Sequence, residues 1–129
     1  MSNLNPSRPT DAELAILRVL WSRGPSTVRQ VHEALSRDRE TGYTTVLKFM
    51  QIMTEKGLVE RDESERTHVY QARFTQEATQ QRLVSDLLEK AFGGSASQLV
   101  MQALAAKPAS ADELAQIRRL LDELEEGKK

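Results

Sequence analysis

The sequence predicts a mainly α-helical protein with one small β-hairpin, three helices standing before the hairpin and three after it. Three observations lead there. Apolar residues recur at helical spacing in three segments before Gly57. Between Leu58 and Phe74 the period drops from about 3.6 residues to about 2, the mark of strands that alternate faces. After Thr75 the helical period returns in three more segments, parted by Gly93-Gly94 and by Pro108.

Residues 1–9 hold Asn3, Asn5, Pro6, Ser7 and Pro9 and read as a flexible lead-in. Thr10 and Glu13 have the spacing of a capping box, in which each side chain satisfies a free backbone N–H at a helix start. Leu14, Leu17 and Trp21 then fall at i, i+3 and i+7 with Leu20 alongside, and Gly24-Pro25 stops the helix. Ser26 or Thr27 caps a second helix that reaches about Ser36, with Val28, Val31 and Leu35 as its stripe. Residues 37–42 are too polar for a core and form a loop. The third helix spans residues 43–56, with Gly57 as its stop. Tyr43, Val46, Leu47, Met50 and Met53 share one arc; Thr44, Thr45, Lys48, Gln51, Ile52 and Glu55 lie on the other.

Residues 58–62 and 67–74 read as strands joined by a polar turn over residues 63–66. His68, Tyr70, Ala72 and Phe74 face one way, and Val69, Gln71 and Arg73 the other. Residues 10–74 thus form a closed unit, a winged helix-turn-helix, and residues 75–125 a helical one. In the second unit Val84, Leu87, Leu88 and Ala91 mark one helix. Ser95 or Ser97 caps the next, which carries Leu99, Val100, Ala103 and Leu104. Ser110 and Glu113 form a capping box for the last, with Leu114, Ile117, Leu120, Leu121 and Leu124.

Composition narrows the function. The 129 residues are 39% hydrophobic and 29% charged, a globular balance, and no apolar run approaches the roughly 18 residues of a membrane span. No secretory signal is visible, and cysteine is absent, which excludes disulfides, thiolate catalysis and Cys-based metal sites. Together these favour the cytoplasm. An enzyme is not expected. His32 lies mid-helix on a charged face and His68 on the hairpin, neither with a nucleophile pattern, and no phosphate-cradling or metalloprotease motif occurs. No cofactor or metal is implied.

In a helix-turn-helix the second helix of the pair enters the major groove and reads bases with its first residues. Here those residues are Thr44, Thr45 and Lys48. Threonine can bond a base edge and pack its methyl on thymine, and lysine can reach guanine or phosphate. The hairpin supplies phosphate candidates in Arg61, Arg66, His68 and Arg73, joined by Tyr43 at the helix start. The overall charge of −1 does not announce DNA: residues 1–75 carry 11 Lys+Arg against 10 Asp+Glu, and residues 76–129 carry 7 against 9. The expectation therefore rests on local placement. Glu63 and Glu65 at the hairpin tip, with the near-neutral balance, support a rival reading as a winged-helix protein-interaction module without specific DNA binding.

About 50 residues cannot bury three apolar stripes alone. The candidate covers are the first unit or a second copy of the chain. A homodimer is favoured, because two-fold symmetry suits a palindromic site on double-stranded DNA. Leu87, Leu88, Phe92, Leu99, Leu114, Ile117, Leu120, Leu121 and Leu124 are the expected interface.

From about Thr10 to Leu124 the chain resembles the penicillinase-repressor (BlaI/MecI/CopY) family of winged-helix regulators. The resemblance is carried by Glu13-Leu14 with Val19-Leu20-Trp21, by Tyr43-Thr44-Thr45-Val46, and by Lys56-Gly57-Leu58-Val59. Arg66, Tyr70 and Phe92-Gly93-Gly94-Ser95 extend it. It implies a homodimeric transcriptional repressor that occupies operator DNA. In one branch it also implies a membrane-bound metalloprotease sensor whose signal leads to repressor cleavage at an Asn-Phe bond. The matching position here is near Gln102-Ala103, and the chain has no Asn-Phe pair. The copper-responsive branch uses Cys-x-Cys pairs, which are also absent. Glu65 stands where a glycine commonly precedes the wing arginine, and Ala72 where a proline often ends the wing strand.

Overall fold

The computed structural model describes residues 8–37 and 40–127. Most of the expected flexible lead-in, residues 1–7, and the middle of the loop after the second helix, residues 38–39, lie outside the described residues. The element order is α1 (Asp11–Arg23), α2 (Val28–Leu35), α3 (Tyr43–Lys56), β1 (Val59–Asp62), β2 (Val69–Ala72), α4 (Gln76–Phe92), α5 (Ala96–Ala106) and α6 (Ala111–Gly127). This is the mainly helical, winged-helix architecture expected from the sequence. No helix among the described residues is long and apolar enough to cross a membrane.

Local chemistry sets the boundaries. Thr10 and Glu13 close their capping box on α1, and Thr27 closes one with Gln30 on α2. Gly57 ends α3 at φ 81°, a left-handed conformation that a Cβ would strain, and its N–H bonds back to the Met53 carbonyl. Ser95 caps α5, and Ser110 with Glu113 caps α6. Gly93 and Gly94 both have positive φ and separate α4 from α5.

The core draws on α1, α2, α3 and the hairpin. Ile16, Leu17, Leu20, Val28, Val31, Val46, Met50, Met53, Leu58, Val59 and Tyr70 are all buried in one cluster. Full burial of each large apolar side chain contributes roughly 1.5–3 kcal/mol. The buried stripe of α1 is rotated from expectation: Glu13, Ile16, Leu17 and Leu20 are buried, while Leu14 and Trp21 are only partly so. Trp21 lies at the rim because its indole N–H donates to the Phe74 carbonyl at 3.0 Å. That bond fastens the end of the hairpin to α1. Tyr43 also leaves the expected apolar arc, being 47% exposed.

β1 and β2 pair antiparallel in the register Val59↔Ala72, Glu60↔Gln71, Arg61↔Tyr70 and Asp62↔Val69. Ser26 adds a bridge outside the named strands, its N–H and carbonyl exchanging bonds of 2.9 and 2.8 Å with Tyr70. The strands are shorter than the sequence suggests, and the expected four-residue turn is a loop of residues 63–68. The cause is local. Asp62 Oδ1 accepts the Ser64 backbone N–H at 2.9 Å, which turns the chain out of the ladder. Glu65 has no positive φ, so this wing tip does not need the glycine that the resemblance would place there.

The chain divides into two compact units between Leu83 and Val84, within α4. The second unit contributes parts of α4, with α5 and α6, and no residue of these three helices is buried.

Candidate nucleic-acid interface

The start of α3 presents its polar side to solvent. Thr44, Thr45 and Lys48 are all exposed, while Val46 and Met50 of the same helix are fully buried. Residues three and four apart share a helix face, so Lys48 stands beside both threonines. The three expected base readers therefore form one outward patch on a helix anchored by its opposite side.

Beside this patch lies a cleft of about 530 Å³, lined by Thr27, Val28, Arg29, Tyr43, Leu47, Arg66, Thr67, His68 and Tyr70. Three parts of the chain meet here: the start of α2, the start of α3 and the loop of the hairpin. Three of the lining side chains, Arg29, Arg66 and His68, are basic, and none of the described lining residues is acidic. Neither Arg29, Arg66 nor Lys48 forms an ion pair with a described residue. A chain of net charge −1 thus carries a local concave surface free of carboxylates, suited to phosphate.

The five phosphate candidates separate in space. Tyr43, Arg66 and His68 line the cleft, and Arg61 and Arg73 do not. Arg61 is engaged by Glu63, with Nε and Nη2 each 2.6 Å from Oε2. A hydrogen bond with Tyr70, then the one to Glu63, holds its guanidinium above the usual arginine range. Arg73 sits at the far end of α3: its Nη1 would be 2.9 Å from a Cβ on Gly57, and its guanidinium lies 5.2 Å from the Phe74 ring centroid. The acidic tip is thus partly neutralised by Arg61, and Arg66 is left for an outside anion.

Arg29 lines the cleft in addition to the residues expected from the sequence. Its signal was present, since it follows the Thr27 cap on the unstriped side of α2. His32 lies deeper than a charged helix face implies. It is half-buried, its Nε2 lies 2.7 Å from the Thr41 carbonyl oxygen, and its ring meets Tyr43 edge-on.

Residues 9–123 match the penicillinase repressor family. The chain is 38% identical over 122 residues to transcriptional regulator BlaI of Mycobacterium tuberculosis strain H37Rv, across 94% of this chain and 88% of that protein. The chain belongs to the penicillinase repressor family. The same regulator from strain CDC 1551 matches equally. Among solved structures, RosR of H. salinarum aligns at TM-score 0.51 and 17% identity, over 92% of this chain and 96% of that one. A MarR family protein from Bacillus stearothermophilus aligns at TM-score 0.50 and 18% identity, over 95% and 76%. At such identities these two establish the fold. The family placement agrees with the expectation that the chain is not an enzyme.

In this penicillinase repressor family member the helices after the hairpin leave much apolar surface uncovered. Of the expected interface residues, Leu88, Phe92, Leu99, Leu114 and Ile117 are half-buried. Leu87 is 46% exposed, and Leu120, Leu121 and Leu124 are each more than half exposed. Val84, Val100, Met101 and Leu104 are exposed too. Met101, at 68%, is the most exposed of these. Gln102 and Ala103 are exposed on α5.

Proposed function

We propose that the chain represses transcription by binding, as a homodimer, a two-fold-symmetric operator in double-stranded DNA. The observation that carries this is the placement of Thr44, Thr45 and Lys48 beside a carboxylate-free cleft holding Arg29 and Arg66. Side chains on the helix start reach base edges in the major groove, and the cleft beside them seats the sugar-phosphate backbone. Phosphate contacts position the protein and set its salt dependence; base contacts set sequence preference.

Dimerisation is supported by the state of α4–α6. A lone chain would keep Leu120, Leu121 and Leu124 more than half exposed on one helix, alongside Met101 and Val100 on another. Large apolar side chains left exposed in such number mark an interaction site. A second copy covers it with the same surface and also supplies the second half-site reader. Release by proteolysis via a membrane-bound metalloprotease sensor is compatible with the exposure of Gln102 and Ala103, and it would cut the dimerising helices rather than the DNA-reading unit.

The test compares binding to the duplex that the protein selects from a randomised pool with binding to an unrelated duplex. Lys48→Ala with Thr45→Ala should weaken the selected duplex by at least about tenfold, since a good base contact discriminates by roughly 1–3 kcal/mol. The unrelated duplex should change little. Equal losses on both would remove the base-reading role, and no salt-sensitive binding to either would favour a protein-interaction module.

A further inference from the structure

Of the three helices that build the DNA-reading unit, α3 alone begins without a side-chain cap. Thr10 and Thr27 close capping boxes on α1 and α2, but the N-cap of α3 is Gly42, which has no side chain to offer. Glycine is also the residue with the widest backbone freedom. The helix start that presents Thr44, Thr45 and Lys48 is thus the one whose own sequence restrains it least.

A residue of the preceding helix supplies the restraint. His32 Nε2 is 2.7 Å from the Thr41 carbonyl oxygen, one residue before the cap. A carbonyl only accepts, so Nε2 carries the proton and donates. The same ring meets the Tyr43 ring edge-on, with centroids 5.8 Å apart and planes at 76°, one residue after the cap. The two contacts bracket Gly42. We infer that His32 is a positioning residue for operator reading, holding the first turn of α3 in the orientation that aims Thr44, Thr45 and Lys48 at base edges. This rests on the DNA-reading function proposed above.

Base readout and phosphate contact differ in their demands. A base-edge hydrogen bond needs its side chain placed within a few tenths of an ångström, on a supported element. A phosphate contact by a long, flexible arginine tolerates more drift. Loss of His32 therefore costs sequence preference before it costs affinity for DNA in general.

Three variants test this on the full-length chain, with thermal unfolding used to choose a temperature at which all are folded. His32→Ala removes both contacts. His32→Leu fills much of the space but cannot donate. His32→Gln keeps an N–H donor near the Nε2 position. His32→Ala and His32→Leu should each lose about tenfold on the selected duplex and under about twofold on the unrelated one, while His32→Gln stays within about threefold of wild type on both. Amide hydrogen exchange of Val46, whose N–H bonds to the Gly42 carbonyl, should quicken in His32→Ala, and that of Leu14 in α1 should not. Equal losses on both duplexes, wild-type binding by His32→Leu, or unchanged Val46 exchange would overturn the inference. Should the wild-type chain itself fail to discriminate the duplexes, the DNA-reading proposal falls, and the exchange data alone decide the positioning role.

Discussion

Lys56 Nζ lies 2.7 Å from Glu13 Oε1, so the last turn of α3 is tied to the first turn of α1. The same Glu13 oxygen accepts the Thr10 backbone N–H at 2.9 Å. Glu13 is only 2% exposed, and a carboxylate so placed depends on these partners. Lys56→Met would strand it, at a cost of roughly 1–3 kcal/mol in urea unfolding at fixed protein concentration. Glu13→Gln keeps an oxygen for the capping bond and should cost less. The double variant should be less unstable than the two single losses summed, because the stranded charge is gone.

The two wing arginines should behave differently on DNA. Arg66 lines the cleft without an ion pair, whereas Arg61 is held by Glu63 and Tyr70. Arg66→Ala should weaken selected and unrelated duplexes alike and lower the salt slope by about 1, as expected for one lost phosphate contact. Arg61→Ala should leave both the slope and the affinity nearly unchanged. Titrations at two salt concentrations measure both quantities.

At Gly57 a Cβ would meet two obstacles. The φ of 81° is strained for any side chain, and Arg73 Nη1 would stand 2.9 Å away. Gly57→Ala should destabilise by roughly 1–2 kcal/mol, read from the denaturation midpoint. Adding Arg73→Ala should return only the smaller steric part.

Leu121→Glu with Leu124→Glu should yield a monomer in sedimentation while leaving helical content intact. Both side chains are more than half exposed in the single chain, so neither change opens a core. Affinity for the selected duplex should fall far more than affinity for a single half-site, since the linked second reader is lost.

Acid should loosen the wing tip. The Ser64 backbone N–H first, and the Ser64 side chain second, hold the Asp62 carboxyl below its usual range. A folded value below the unfolded one means that the bond stabilises the tip above the unfolded pKa and is lost as pH falls through the folded value. In NMR the Asp62 carboxyl and the Ser64 amide should titrate together, at a midpoint below that of an ordinary aspartate. Asp62→Asn should abolish the shared titration.

Much of this was written in the chain's local chemistry. The capping pairs Thr10/Glu13 and Ser110/Glu113, the stop at Gly57, the change of period after it and the outward face of Thr44, Thr45 and Lys48 all depend on residues within a few positions of one another. Steric and hydrogen-bonding rules at that range need no tertiary context, and so the helices, the hairpin and the polar outward side of α3 were legible. The tertiary structure decided what distant residues do to one another. It rotated the buried stripe of α1 toward Glu13, because Lys56, 43 positions away, could neutralise that carboxylate. It took Arg61 out of the cleft to Glu63 and Arg73 out to Gly57 and the Phe74 ring, and it brought Arg29 in from the start of α2. It also brought His32 against the Thr41 carbonyl and the Tyr43 ring, contacts set by where Thr41 and Tyr43 come to lie once α2 and α3 pack on a common core.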